Sequence, residues 1–76
     1  MNKREKEDAE YLKKLGKRIK TLRKEKGIKQ VDLAYSCDIE KQSMSRLEAG
    51  NTNPSILLLM KIAQLLDLTV SELLAL

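Results

Sequence analysis

Few side chains in this 76-residue chain can make or break bonds, and those that stand out by type and spacing are suited to recognition. There is no histidine, so the commonest general base and metal ligand is missing. The single Cys37 cannot close an intramolecular disulfide and cannot by itself hold a structural zinc. Lysine, carboxylate and serine chemistry stays formally open, but no spacing suggests it, and neither cofactor nor metal is expected. One polar set is well placed. Lys41, Gln42, Ser45 and Arg46 fall within reach of one another across a single helical turn. Arg or Lys in such a set can donate to guanine O6 and N7, and Gln can pair bidentately with adenine N6 and N7.

Charge is distributed unevenly behind that set. Residues 1–29 hold twelve Lys/Arg against five Asp/Glu, whereas residues 30–76 hold three against six. The basic part suits a polyanion such as DNA, but charge alone does not separate duplex DNA from RNA, anionic lipid or a plain solvated face. No stretch is long and apolar enough to span a membrane, and the start, MNKREKEDAEYLKK, has no apolar core of a secretory signal. A reduced, cytoplasmic protein is the default expectation.

The elements that must position the polar set are legible from period and punctuation. Leu12, Leu15, Ile19 and Leu22 recur at spacings of three and four, the period of an amphipathic helix. Gly27 is placed to stop that helix, and Gly16 inside it marks either a close contact or a tolerated loss of propensity. Residues 1–8 are expected to fray, leaving 9–76 as the folded domain. A second helix fits Gln30 to Ser36, with Leu33 and Ala34 inward. Cys37-Asp38-Ile39 follows as a tight turn, Asp38 being the residue that best tolerates a left-handed conformation and Ile39 its apolar plug. A third helix, about Lys41 to Ala49, buries Met44 and Leu47 and stops at Gly50. Two short helices joined by such a turn are the helix-turn-helix signature. Asn51-Thr52-Asn53-Pro54 is a turn cluster, and Ser55 is a natural N-cap for a fourth helix with Ile56, Leu59, Ile62, Ala63 and Leu66 on its core side. Thr69 and Glu72 form a capping box opening a last helix through Leu76. The sum is one all-α domain of five helices.

The ordered pieces RIKTLRKEKG, QVDLA, SMSRLEAG, NPS and LTVSELL resemble the Xre/Cro/C1 family, the phage-repressor-like helix-turn-helix proteins that include restriction–modification controller proteins. The likeness covers about residues 15–75. It implies a lambda-repressor-like domain whose third helix enters the major groove of double-stranded DNA, with Lys41, Gln42, Ser45 and Arg46 at the base-reading positions. It implies phosphate contacts from Gln30, at a helix start that also offers free backbone N–H groups, and from Ser43, Asn51 and Thr52. Arg18 and Arg23 either reach phosphate or pair within the fold, Arg23 with Glu48 being the pairing the family suggests. Two departures stand out: Asp38 replaces a common glycine of the turn. Glu40 replaces a common Ser or Thr cap, where it either caps weakly or reads a cytosine amino group at some cost in phosphate repulsion.

Blander readings stand beside these. Arg46 can be a solvated surface residue, Ser45 a small side chain that permits close approach, Gln30 a helix cap, and Asn51 and Thr52 ordinary turn residues. Cys37 reads as a buried small hydrophobe. The fourth helix carries more apolar residues than one core face uses, which implies a second buried surface. Leu57, Leu58, Met60 and Leu65, with Leu73 and Leu76 nearby, are the candidate interface of a symmetric dimer, the arrangement the family suggests. A palindromic operator with half-sites one helical turn apart would follow. The reading is thus a dimeric transcriptional regulator. Its alternatives are an antitoxin that binds a toxin protein as well as its operator, and a protein-interaction module with the same fold, RNA polymerase being one conceivable partner. An enzyme is the weakest class, because a domain this small rarely has room for a pocket.

Overall fold

Four of the five helices end in the same way, and those endings set the architecture. In the computed structural model, which describes residues 1–76, the order is α1 (Lys3–Glu25), α2 (Gln30–Ser36), α3 (Lys41–Glu48), α4 (Ile56–Leu65) and α5 (Val70–Leu73). Gly27, Asp38, Gly50 and Asp67, just past α1 to α4, all take positive φ, at 69°, 58°, 79° and 58°. In each case the next residue's N–H reaches back to the helix: Ile28 to Arg23 O at 3.1 Å, Ile39 to Ala34 O at 3.0 Å, Asn51 to Arg46 O at 2.9 Å and Leu68 to Ala63 O at 2.8 Å. This is the Schellman stop, which satisfies carbonyls that a helix end would otherwise leave unpaired. The apolar residues that follow, Ile28, Ile39 and Leu68, tuck against the core. Asn51 is the exception and stays exposed.

The starts are more varied. Asn2 caps α1 by accepting from the Glu5 N–H at 2.8 Å, and Ser55 caps α4 through the Leu58 N–H at 3.1 Å. Thr69 and Glu72 form the expected capping box, each bond at 3.0 Å. Lys29 and Glu40, which precede α2 and α3, make no side-chain cap at all. α1 is helical from Lys3, well before residue 9, and every side chain from 1 to 8 is exposed.

Two expectations need correction. The last helix stops at Leu73, not Leu76: the Ala75 N–H turns to Glu72 O at 3.3 Å and the Leu76 N–H to Leu74 O at 2.9 Å, which breaks the α-helical spacing. Arg18 caps that end, donating from Nε to Leu73 O at 2.9 Å and from Nη2 to Glu72 O at 2.8 Å. Ile56 is 58% exposed and not in the core, since it stands at the first position of α4, ahead of the turn that reaches inward.

The core joins all five helices: Leu15 and Ile19 of α1, Leu33 and Ala34 of α2, Met44 and Leu47 of α3, Leu59, Ile62 and Ala63 of α4, and Leu73 of α5, with Cys37 and Leu66 from the turns. α2 and α3 pack on each other and α3 on α1, while α4 and α5 close the other side. No helix is long and apolar enough to cross a membrane.

Candidate nucleic-acid interface

The local sequence of α3 divides its surface sharply. Met44 and Leu47 are buried in the core, and Glu48 is buried beside them. Lys41, Gln42, Ser45 and Arg46 are all exposed, and Gln42, Ser45 and Arg46 line one shallow depression on the outer face. The structure therefore brings the base-reading candidates together, with Lys41 at the first helical position. None of the four side chains makes a hydrogen bond or ion pair within the protein. Ser43 is half-buried between the two faces, Asn51 exposed and Thr52 half-buried. The free N–H groups at the uncapped starts of α2 and α3 add positive dipole ends to the same region.

One buried ionic cluster ties α3 to α1 and α2. Arg23 of α1 donates from Nε to Glu48 Oε2 at 2.7 Å and from Nη2 to Glu48 Oε1 at 3.0 Å, and from Nη1 to the Ile28 carbonyl at 2.8 Å. Gln30 Nε2 adds a bond to Glu48 Oε1 at 3.0 Å. Both charged side chains are nearly inaccessible, at 8% and 2%. The bidentate, charge-assisted geometry offsets the loss of water around them. Hydrogen bonding to Glu48 raises the Arg23 pKa against the opposing effect of burial. The pairing reading of Arg23 therefore describes this structure. Gln30 is engaged with the fold through one of its two N–H donors, which leaves the second donor and the carbonyl oxygen. Arg18 pairs with no carboxylate; its guanidinium is spent on the end of α5.

Backbone contact completes the seating. A Cβ on Gly16 would lie 2.5 Å from the carbonyl oxygens of Leu47 and Glu48, so glycine lets α1 meet the end of α3 directly. A Cβ on Gly50 would lie 2.6 Å from Lys13 Cα. This apposition of Lys13 with the loop after α3 had no sequence signal, because the two are far apart in the chain and nothing local links them. Behind the turn, Cys37 is 2% exposed, and burial pushes its thiol pKa up. Such a thiol stays protonated and inert.

The candidate dimer residues are only partly assembled. Leu57 and Met60 are exposed at 67% and 52% and line one groove with Leu68 and Val70. Leu65 is exposed but lies outside that groove, and Leu76 lines a separate one with Lys14, Lys17 and Thr21. Leu58 is half-buried against the core. Leu73 has no exposed surface, since α5 turns it inward, and it leaves the candidate interface.

Comparison with known proteins agrees with this arrangement. The helix-turn-helix family profile matches residues 19–73. The transcriptional regulator SinR of Bacillus subtilis (strain 168) is 43% identical over 61 residues, covering 79% of this chain and 55% of SinR. DdrOP3 of Deinococcus deserti, also a transcriptional regulator of this type, is 39% identical over 61 residues, covering 80% of this chain and 47% of that protein. The chain thus spans about half the length of these relatives. Among solved structures, the restriction–modification controller protein C.AhdI of Aeromonas hydrophila matches with a TM-score of 0.77 at 34% identity, over 82% of this chain and 94% of that one. SinR crystallised in complex with DNA matches with a TM-score of 0.72 at 43% identity, over 79% of this chain and 97% of that one. With α2, α3 and their turn inside the matched region, the chain belongs to the helix-turn-helix family of the Xre/Cro/C1 type.

Proposed function

We propose that the chain is a cytoplasmic, sequence-specific transcriptional regulator that binds double-stranded DNA as a dimer on a palindromic operator. Residues 9–76 are the DNA-binding and dimerising unit, and residues 1–8, helical from Lys3 but exposed throughout, are an extension that frays. The observation that carries the reading is the contrast within α3. Its inward carboxylate is bound by three side-chain hydrogen bonds, while Lys41, Gln42, Ser45 and Arg46 are exposed and have no partner in the protein. A helix fixed from behind and presenting unengaged donors in front is what direct readout of base edges needs. Gln30, Ser43, Asn51 and Thr52 set its height and register on the phosphates. The solved complex of the related SinR with DNA supports the same use of this fold.

Selection of bound duplexes from a random pool at fixed salt, with Lys41→Ala/Gln42→Ala/Arg46→Ala beside the native chain, tests this. A palindromic consensus is expected for the native chain and not for the variant. Weak, equal and sequence-independent binding by both would sink the reading.

A further inference from the structure

Between Tyr11 and Lys24 the chain holds seven Lys/Arg and no Asp or Glu. Arg18 and Arg23 are committed to the fold, but Lys13, Lys14, Lys17, Lys20 and Lys24 are exposed, and the ion pairs of the protein involve only Arg23, Lys26 and Lys61. Four of the five form a stripe. At 3.6 residues per turn, Lys13, Lys17, Lys20 and Lys24 fall within an arc of about 60°, on the side of α1 away from Leu15 and Leu22. The stripe runs about 16 Å along the helix at 1.5 Å per residue. Like charges three and four apart destabilise a helix, and the one carboxylate at a relieving spacing is Glu10, three residues before Lys13. An anion spread along the same length would relieve the repulsion.

The first lysine of the stripe also lies beside the loop that follows α3. Lys13 is packed against Gly50, directly before Asn51 and Thr52 in the chain, which puts one end of the lysine row next to two of the phosphate-contact candidates. We infer that this row is a second DNA contact, which holds the phosphate backbone of the duplex flanking the base pairs read by α3. The inference rests on the DNA-binding reading above, and adds to it an extended, sequence-independent grip. Duplex DNA is the occupant we infer because its phosphates repeat along its whole length and match a row of four lysines, whereas a compact anion would engage one or two lysines at most.

The test is the salt dependence of binding by the full chain. Replacing all four lysines by Gln, a residue of similar helix propensity, is expected to flatten the plot of log K against log salt by about 0.9 for each phosphate that the stripe no longer neutralises. The selected consensus should stay the same and the hydroxyl-radical footprint should shorten at its flanks. The matching Lys→Arg variant should keep the native slope, and circular dichroism checks that each variant is folded. A folded Gln variant with native slope and footprint would overturn the inference. So would a stripe whose loss spares duplex binding but abolishes binding to vesicles of phosphatidylglycerol and phosphatidylcholine. If the native chain selects no consensus yet binds duplex with a slope that the Gln variant flattens, the stripe stands and the operator reading falls.

Discussion

Glu48 carries more of the interface than any residue that would touch DNA. Its carboxylate accepts from Arg23 twice and from Gln30 once, which ties α3 to α1 and to the start of α2. Removing it leaves the Arg23 guanidinium, only 8% accessible at its side chain, without a counter-charge. Glu48→Ala is therefore expected to cost about 3–5 kcal/mol in urea unfolding, because an uncompensated buried charge is left behind. The double replacement Arg23→Met/Glu48→Leu should recover most of that loss by removing both charges together. A single replacement costing under about 1 kcal/mol would show that the pair does not hold the fold. Since the pairing raises the Arg23 pKa above an already high value, its charge persists throughout the working pH range, and the contribution of Arg23 is not lost on moderate alkalinisation.

At the scale of the element, α5 is the weak member, four residues long and too short to stand on propensity. Two devices hold it: Arg18 at its end and the Thr69–Glu72 capping box at its start. Hydrogen bonds from the Thr69 backbone and hydroxyl lower the Glu72 pKa below its ordinary 4.5. A depressed carboxylate stabilises the folded state fully above its unfolded value, and the contribution is lost as pH falls through the folded one. Acidification below about 4.5 should therefore lower the amide-exchange protection factors at Leu73 and Leu74, rates being referred to the intrinsic rate at each pH. Glu72→Gln, which keeps an acceptor but does not titrate, should remove that pH dependence. Native-like acid sensitivity in the Gln variant would place its origin elsewhere.

For the molecule as a whole, the question is what covers the apolar face of α4. Leu57 and Met60 remain more than half exposed although the core is already filled by Leu59, Ile62 and Ala63. Such a face is the candidate contact surface of the proposed dimer. Because both side chains point away from the core, Leu57→Lys/Met60→Lys should leave the protomer folded while shifting equilibrium sedimentation from dimer to monomer. Affinity for a two-half-site duplex should then fall far more than affinity for a single half-site. A native chain that sediments as a monomer at micromolar concentration would remove the dimer from the proposal.

Much of this organisation was legible in the residues themselves. Period, glycines and short polar caps act within four or five residues, so helix starts and stops, the turn at Asp38 and the exposed set on α3 followed from local rules. The family pattern added the Arg23–Glu48 pairing, which composition left open. What stayed illegible depends on contacts distant in sequence. The capping of the end of α5 by Arg18 joins residues more than fifty apart in the chain. The inward turn of Leu73 and the outward position of Ile56 depend on which flank of each helix the core reaches, and a surplus of leucines does not reveal that. That Lys13 packs against the loop after α3 is seen only in the close approach of Gly50 to its backbone. Local sequence determined which elements form and where the first four stop, because those energies are local. The tertiary structure decided which faces are left for a partner, because burial is settled only when all five helices compete for one small core.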